Sequence, residues 1–538
     1  MKNAMTIAKL TFLQAIRMKV AVAFIVLLAV CLIAMPSVMT GDGTLAGQIR
    51  STLYYAFSLV TILLSLQTLL VGAMLVSEDI RRRQIFLIAV KPISRSEYLI
   101  GRFLGVMFLN VLLLTVSSVA IWSMVQSKRA EETTIQDRIA IETELFTARE
   151  RLAPVPPNLD TMVQERVAYL KQKGAYNELL EAYRRSNKLL ENESPEEKFH
   201  RSLYIQARQI VEIVSPGRRL TWQFEGVEPQ GESQTAVATL DKAHDTYRIY
   251  RFKADPAIVG RMSYGAPIRF GPVAGQITRI AHGIFNIQLP MSGPLSSTFA
   301  TMKHGDTIQF VIDPVMQFQY TAQPTSDVPN DIKTLPRILE IGPPGAKPTA
   351  VIPSQGVIRS TSTNTFSAIG VAENGKMQVS YCNVPLTGQF GAGTEQIVTA
   401  VKIPYKDVSL LYRVGDFTPN FVRCCLLTLM RLTFLAAMAI MLSSILEFPV
   451  AVLTSMTLLI GSMLVGWLIT QRWGDAGKLS GFFDYFNYFI RNTITTLMPD
   501  VGGDSSSELL SEGMSLSYTS LGKTFLMTIV VRSGLYLA

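Results

Sequence analysis

The chain has 538 residues, 48% of them hydrophobic, and its mean hydropathy of +0.27 is too high for an ordinary soluble protein. The formal net charge is +9, but the basic residues cluster beside apolar runs, where they orient a protein in a bilayer, which argues against a nucleic-acid-binding protein. The four cysteines include no CxxC spacing and the four histidines are scattered, so neither a disulfide framework nor a metal site is predicted.

Residues 1–19 combine apolar side chains with lysine and arginine, and they predict an interfacial N-terminal helix that leads into the membrane. The first apolar run follows, from Val20 to Val38. A cleaved signal peptide is the alternative. It is disfavoured because the run is long, because its end lacks the small-x-small cleavage pattern, and because another apolar run follows at once.

Six apolar runs are each long enough to cross roughly 30 Å of hydrocarbon as a helix. They lie at 20–38, 51–76, 98–125, 424–446, 450–470 and 516–538. Lysine and arginine are frequent in the N-terminus and in the segment after the second run, and they are rare in residues 40–50. The positive-inside rule therefore predicts a multi-pass protein of the cell (inner or plasma) membrane, with a cytoplasmic N-terminus and residues from about 126 to 420 outside the cytoplasm.

Residues 20–125 thus hold the first three spans, and residues 126–215 that follow are charged and helical in pattern. An apolar stripe at spacings near three and four is present but interrupted in 133–152, a cluster of three prolines breaks the helical pattern, and the pattern resumes at about Leu159. Sustained heptads, which a coiled coil requires, are missing. This stretch predicts an extracytoplasmic helical hairpin or stalk.

Residues 216–415 change to a period of two, as at 308–312 and 377–381, which indicates β-strands. Asn374-Gly375 lies between two such runs and predicts a β-hairpin. Prolines, glycines and serines are dense from Gln323 to Ser362 and predict a long irregular insertion. The stretch predicts an extracytoplasmic β-rich domain, either a sandwich or a barrel-like fold.

Residues 416–538 contain the last three apolar runs. Between the fifth and sixth runs, residues 471–515 hold an aromatic cluster and then a polar stretch, which is typical of the outer membrane interface or of a re-entrant helix. The predicted fold class is therefore an α-helical polytopic membrane protein of about six transmembrane helices, with an inserted extracytoplasmic helical stalk and all-β domain.

The segment between the second and third runs, residues 77–98, is here named the elbow. It begins with an acidic pair and continues with a basic cluster and a Lys-Pro turn; its candidate contact residues are Glu78, Asp79, Arg81, Arg82, Arg83, Lys91, Pro92 and Arg95. A basic helical loop that joins two spans lies along the inner membrane face and is accessible to a soluble partner. Binding of anionic lipid head groups, on the order of 1 kcal/mol for each basic residue, is a simpler role that is compatible with the first.

These features resemble the membrane (permease) subunit of type-2 ATP-binding-cassette exporters, in which an acidic residue, a short helix and a Lys-Pro-x-Ser-Arg…Gly-Lys/Arg-x-x-Gly pattern occupy the same place. The corresponding stretch here is KPISRSEYLIGRFLG, and the likeness covers roughly residues 1–125 and 415–538. The resemblance implies that the elbow is a coupling helix, which docks on a separate ATPase subunit through Glu78 to about Ser96. Residues 128–414 depart from the family pattern, which has only a short loop there.

No ATPase motif and no other catalytic motif stands out, so the chain is not predicted to be an enzyme, and ATP with Mg²⁺ is expected only on the partner subunit. The nearest match to a phosphate-binding loop is SYTSLGKT, residues 517–524, in which Ser517 replaces the first glycine and no strand precedes the motif. An interfacial lysine at the start of a span accounts better for Lys523.

Three polar residues within the apolar runs are candidates for an intramembrane role. Arg431 either faces the interior of the helix bundle, where it lines a path or pairs with Glu447 or another carboxylate, or lies near the outer surface because its span begins later than the apolar run indicates. Asn110 and Gln67 are predicted to make hydrogen bonds between helices.

The resulting hypothesis is a permease that works by alternating access on an unidentified substrate. One chain supplies about half of the spans that such a transporter needs, so a homodimer or a second permease subunit is expected. The alternative is a non-transporting membrane scaffold, or a mechanotransmitting subunit, that displays the β-domain to an envelope partner. The elbow favours transport, because a display anchor needs only one or two spans.

Overall fold

A computed structural model describes the chain apart from residues 1, 39–40, 42, 84–93, 132–140, 186–193, 229–233, 245–248, 255–266, 271–272, 282–283, 289–302, 313–314, 326–333, 349, 358, 368–370, 372–373, 385, 391–392, 398–399, 471–505 and 535–538. The described residues form two compact units, one made of residues 1–148 and 415–538 and the other made of residues 149–414.

The first unit is helical, and three further helices lie in the second unit. In chain order the helices are α1 (Lys2–Arg17), α2 (Lys19–Val38), α3 (Leu45–Arg81), α4 (Arg95–Arg129), α5 (Leu159–Gln172), α6 (Ala175–Arg185), α7 (Pro195–Glu212), α8 (Phe417–Ile445), α9 (Phe448–Thr470), α10 (Ser506–Ser511) and α11 (Tyr518–Phe525).

Three of the described helices, α3, α4 and α8, are long and apolar enough to cross a membrane, and the number rises to four if α1 and α2, which are bent by 66° at their junction, are counted as one span. The predicted count of six is not established by the described residues. There α9 is apolar over Phe448–Gly461, and the last predicted run is the short helix α11 followed by π-helical turns over Leu526–Ser533. The aromatic cluster predicted within 471–515 lies outside the described residues.

In the first unit α3 packs against both α4 and α8. The hydroxyl of Thr68 on α3 donates a hydrogen bond to Oδ1 of Asn110 on α4 at 3.0 Å, which confirms Asn110 as an interhelical hydrogen-bond residue. The rings of Phe57 on α3 and Phe421 on α8 have centroids 5.9 Å apart. Gln67, predicted for the same role as Asn110, is buried, and its Nε2 has no hydrogen-bond partner among the described residues.

Polar contacts join the helix ends that lie away from the elbow. Arg50 near the start of α3 pairs with Glu144 at 3.1 Å. The amide of Asn420 near the start of α8 uses both its polar atoms, because Nδ2 donates to the carbonyl of Met514 at 2.7 Å and Oδ1 accepts from the N–H of Leu516 at 2.9 Å. These contacts attach the segment after α10 to α8.

Most strands belong to the second unit. In chain order the strands are β1 (Thr147–Leu152), β2 (Ile213–Val214), β3 (Arg219–Phe224), β4 (Gln234–His244), β5 (Ile249–Lys253), β6 (Pro267–Phe270), β7 (Val273–Ala281), β8 (Ile284–Gln288), β9 (Thr307–Ile312), β10 (Val315–Thr321), β11 (Gln323–Pro324), β12 (Thr334–Gly342), β13 (Ala350–Val357), β14 (Thr361–Ser367), β15 (Met377–Asn383), β16 (Leu386–Phe390), β17 (Gly393–Ile397), β18 (Val401–Lys402) and β19 (Ser409–Asp416).

Two four-stranded sheets, with the orders β1-β19-β10-β14 and β13-β12-β15-β3, pack as a sandwich. Their shared core is aromatic: the ring centroids of Trp222 and Phe318 lie 5.6 Å apart, and those of Tyr320 and Tyr381 lie 5.4 Å apart. Between β3 and β10 the chain forms a closed barrel in the order β4-β5-β8-β7-β6-β9. This strand-rich region therefore contains both of the architectures that the sequence left open, and β9 and β15 confirm the two period-two runs.

The helices α5, α6 and α7 pack around a small apolar core of their own, which comprises Val163, Leu170, Phe199, Leu203 and Ala207. A capping box between Ser194 and Glu197 starts α7, because each residue's side chain binds the other's backbone N–H. The helical prediction from Leu159 onward is confirmed.

Three predictions for the second unit are wrong. Residues 147–152 form β1 instead of the end of a helix, because pairing with β19 overrides the local periodicity. The irregular insertion predicted at 323–362 contains the paired strands β12 and β13. Gly375 has the positive φ of a turn, +70°, but the strands on its two sides, β14 and β15, belong to different sheets. Asn374-Gly375 therefore lies in a connection between the layers and not in a hairpin.

Candidate functional site

The elbow lies between the end of α3 and the start of α4. These helices have 37 and 35 residues, or about 55 and 52 Å at 1.5 Å per residue. Both lengths exceed the roughly 30 Å of a hydrocarbon core, so helices that cross a bilayer at these lengths carry their charged ends beyond the apolar layer. Of the predicted elbow residues, Lys91 and Pro92 lie outside the described residues. The described ones are Glu78, Asp79, Arg81, Arg82, Arg83 and Arg95.

Backbone geometry ends α3 and starts α4 at defined positions. The N–H of Arg82 donates to the carbonyl of Glu78 at 2.9 Å and closes the last turn of α3. Arg83 follows with φ +56°, a left-handed conformation that residues other than glycine rarely adopt. Ser94 caps α4, because its Oγ accepts the N–H of Glu97 at 3.1 Å.

The basic cluster at the end of α3 is exposed. The side chain of Arg81 is 80% exposed and that of Arg82 is 61% exposed. Glu78 lies one turn earlier and pairs with Arg82 at 2.5 Å and with Arg81 at 3.9 Å. An exposed helical pair of this kind contributes only about 0.3–0.5 kcal/mol, so Glu78 orders the arginines without withholding them from a partner. Arg83 and Arg95 are exposed as well.

Asp79, the other member of the acidic pair, is buried, with only 1% of its side chain exposed. Its Oδ2 accepts hydrogen bonds from the hydroxyl of Tyr98 and from Nη2 of Arg102, both on α4. The sequence had placed Asp79 among the docking residues. In this conformation its carboxylate is bound within the chain and is not accessible to a partner.

Arg102 connects three helices through one guanidinium group. While Nη2 binds Asp79 on α3, Nη1 donates to Oγ1 of Thr11 at 3.2 Å and to Oε1 of Gln14 at 2.9 Å, both on α1. The Nε donates to the hydroxyl of Tyr98 at 3.4 Å. The charge is thus balanced by one carboxylate, and the other N–H groups meet neutral acceptors. These five residues are here named the elbow network.

A pair of glycines on α4 lets α1 approach closely enough for these bonds. A Cβ atom on Gly101 would lie 2.7 Å from Cβ of Ile7, and one on Gly105 would clash with Thr11 and lie 2.8 Å from the carbonyl oxygen of Ala8. Two glycines four positions apart lie on one face of a helix, where they allow close contact between backbones. The side chains of Ala4, Ala8, Thr11 and Ala15, which are all buried, form the matching face of α1.

Arg431 is buried in the first unit, with 6% of the residue exposed. The helix that carries it, α8, starts earlier than the predicted run, at Phe417, so Arg431 lies about 21 Å along the helix from its start. The burial of Arg431 among the helices favours the interior alternative. Glu447 follows the other end of α8, about 24 Å further along the helix axis, and is too distant to pair with Arg431.

The predicted site residues did not include Thr11, Gln14, Tyr98 or Arg102. One signal for Arg102 was present, because it is the only charged residue in the apolar run at 98–125, and a charge at such a position needs a counter-ion. The acceptors on α1 left no comparable signal, since threonine and glutamine are ordinary residues of an interfacial helix.

The nearest match to a phosphate-binding loop does not form one. Ser517 caps α11, and Gly522, Lys523 and Thr524 lie within this helix instead of in a loop before it. Among the described residues, no group of histidine, cysteine, aspartate and glutamate side chains is placed to hold a metal ion.

These features are compatible with one class of protein, a membrane protein whose long apolar helices could cross a bilayer and whose chain carries a strand-rich unit between α4 and α8. Compared with known proteins, the chain matches no family model and no curated protein.

Proposed function

We propose that the chain is the permease subunit of an ATP-binding-cassette exporter of the type-2 kind. It moves an unidentified substrate across a cell membrane, and a separate ATPase subunit, which holds the ATP and Mg²⁺, supplies the energy. The chain itself carries no catalytic role in this proposal. Its contribution is to convert closure of the ATPase into movement of membrane helices.

The observation that carries the proposal is the construction of the elbow. The exposed arginines Arg81 and Arg82 lie at the end of α3. Close to them, the buried Asp79–Arg102 pair joins α3 to α4. A soluble ATPase can move helices in a bilayer only through a stiff connection, because a loose loop would absorb the displacement. A locked pair of long helices with a charged outer surface meets that requirement.

The rest of the proposed topology follows from the sequence. In the proposed topology the chain has six spans, and by the positive-inside rule the N-terminus and the elbow are cytoplasmic and residues from about 126 to 420 lie outside the cytoplasm. A homodimer, or a pairing with a second permease subunit, completes the transporter, and the substrate passes by alternating access. Arg431 is the proposed functional charge within the membrane. Anionic lipid head groups are a second set of partners for the exposed arginines.

The alternative function is a non-transporting scaffold, or a mechanotransmitting subunit, that presents the strand-rich unit to an envelope partner. What favours it is that residues 149–414 form a compact unit with a sandwich and a barrel, which is far more than a connecting loop needs. A mechanotransmitting subunit would keep the ATPase and the elbow, and it would lack only substrate transport.

The proposal is tested by purifying the tagged full chain from its native membrane in a mild detergent and asking whether a cassette ATPase accompanies it. The test variant is Arg81→Glu/Arg82→Glu/Arg83→Glu. Its matched control is Lys173→Glu/Arg184→Glu/Arg185→Glu, which makes the same change of charge at exposed positions of the second unit. We expect the amount of ATPase that co-purifies with the test variant to be at least tenfold lower than with the native chain, because like charges placed across an interface cost several kcal/mol.

Retention of the ATPase by the native chain and by the control, together with its loss from the test variant, supports docking at the elbow. If the native chain retains no ATPase, the permease proposal fails and the scaffold becomes the better hypothesis. If the test variant retains as much as the control, the docking site lies elsewhere.

A further inference from the structure

We infer that Arg102 is the positioning residue of the elbow and that, through it, α1 moves with the elbow as a third arm of the coupling device. The inference rests on the proposed function for the meaning of that movement. The physical connection between α1, α3 and α4 is a separate claim that is tested on its own.

The first step is that one side chain, that of Arg102, connects α4 to both α3 and α1. The guanidinium of Arg102 binds Asp79 at the last turn of α3, and it also binds Thr11 and Gln14 on α1. If α3 tilts and carries Asp79 with it, Arg102 has to follow or the buried charges separate. Because a separated buried pair is strongly disfavoured, the three helix segments are expected to move together.

The second step is that α1 is held along its length as well as at one point. The glycine pair of α4, Gly101 and Gly105, brings α1 into backbone contact over two turns. Asn3, one turn before this seam, donates from Nδ2 to Oε2 of Glu97 at 3.5 Å. A helix held at both ends of a close seam rotates with its neighbour instead of sliding past it.

The third step concerns what α1 then acts upon. Its outward surface carries exposed apolar side chains, Met5, Leu10 and Leu13, with the exposed cations Lys9 and Arg17 among them. This composition suits the boundary between head groups and acyl chains. Movement of the elbow would therefore be delivered to the membrane surface through α1 as well as to the spans.

The test removes the two acceptors on α1 and leaves Asp79, Tyr98 and Arg102 intact. The variant is Thr11→Val/Gln14→Leu. The control is Thr115→Val/Gln126→Leu on α4, which repeats the chemistry at positions outside the elbow network; the Thr115 hydroxyl donates to the carbonyl of Val111 in its own helix, its one partner among the described residues. A rescue variant, Thr11→Ser/Gln14→Glu, restores an oxygen acceptor at each position.

Two readouts are taken from the same membranes. The first is cross-linking between α1 and α4 through the pair Asn3→Cys/Glu97→Cys, in a chain whose four native cysteines are replaced; this pair removes the Asn3–Glu97 contact from every chain alike, so the cysteine-pair chain without further changes is the reference for the variants. The second is the amount of ATPase that co-purifies. We expect Thr11→Val/Gln14→Leu to lower both at least threefold, the control to change neither, and the rescue variant to return both to the native level. Monodisperse elution of each variant shows that it folds.

Either readout can overturn the inference. Unchanged cross-linking means that Arg102 does not hold α1. Reduced cross-linking with unchanged ATPase retention means that α1 is held by Arg102 but takes no part in positioning the elbow. If the native chain retains no ATPase at all, the proposed function fails, the coupling role of α1 is overturned with it, and the cross-linking result still decides whether Arg102 connects the helices.

Discussion

Asparagine in place of Asp79 is expected to destabilise the helical unit more than any exposed charge change at the elbow. The variant keeps the size of the side chain and an acceptor for Tyr98, and it removes the negative charge that Arg102 faces. An uncompensated charge in such a buried site costs about 3–5 kcal/mol. Arg102→Gln leaves the opposite charge alone and is expected to cost a similar amount.

The double variant Asp79→Asn/Arg102→Gln separates the charge effect from the loss of contacts. Because it leaves no uncompensated charge, its cost is expected to fall short of the sum of the single variants by about 2–3 kcal/mol. The assay is equilibrium unfolding of the full chain in mixed micelles, followed by circular dichroism. The control is Arg81→Gln, at a side chain that is 80% exposed, for which a change within about 0.5 kcal/mol is expected. Single variants as mild as this control, or strictly additive costs, would refute the coupled pair.

Two further changes test the packing of α1 and the environment of a thiol in the sandwich. Gly105→Ala is expected to lower the free energy of unfolding by about 1–3 kcal/mol through overpacking against α1; Gly461→Ala on α9, where an added Cβ meets nothing within 4 Å, is the control, and equal losses for both would contradict the seam. The pKa of the Cys382 thiol is raised, first by burial and second by the negative charge of Glu340; the positive charge of Arg219 opposes this shift. Alkylation of Cys382 at pH 8 is therefore expected to be slower than that of a free thiol and to accelerate as the pH rises, because only the thiolate reacts. Glu340→Gln lowers this pKa and is expected to speed the reaction, with Cys382→Ser as the labelling control; an unchanged rate would show that Glu340 does not act on the thiol.

The apolar runs predicted where the long helices α3 and α4 lie, because the central part of such a helix is recognisable from the length and composition of the run alone. The predicted runs at 51–76 and 98–125 lie inside α3 and α4, whose true ends are several residues further out. Those ends depend on capping residues such as Thr44 and Ser94, which interrupt no hydrophobic pattern. For these two runs the existence of a helix was predictable, and its length was not.

Strand predictions succeeded where one strand carries its own signal and failed where the signal lies in a distant partner. The alternation in β9 and β15 is local, and it was recognised. In contrast, β1 pairs with β19, which comes more than two hundred residues later in the chain. The local spacing of apolar residues in β1 therefore led to the wrong prediction of a helix. The Asn374-Gly375 turn was found, but no property of a turn reveals that its two strands belong to different sheets.

The acidic pair of the elbow shows the same limit at the level of single side chains. Glu78 and Asp79 were given one role because they are adjacent, yet neighbouring side chains on an α-helix point about 100° apart. Glu78 consequently faces the arginines at the surface, and Asp79 faces Arg102 in the interior. Because the Asp79 carboxylate is buried and paired with Arg102, the exposed end of α3 is more basic than its sequence indicates, although Glu78 still offsets one of its arginines. A partner that docks there is expected to present an acidic groove, and a neutral or basic groove on the co-purified ATPase would contradict docking through these arginines.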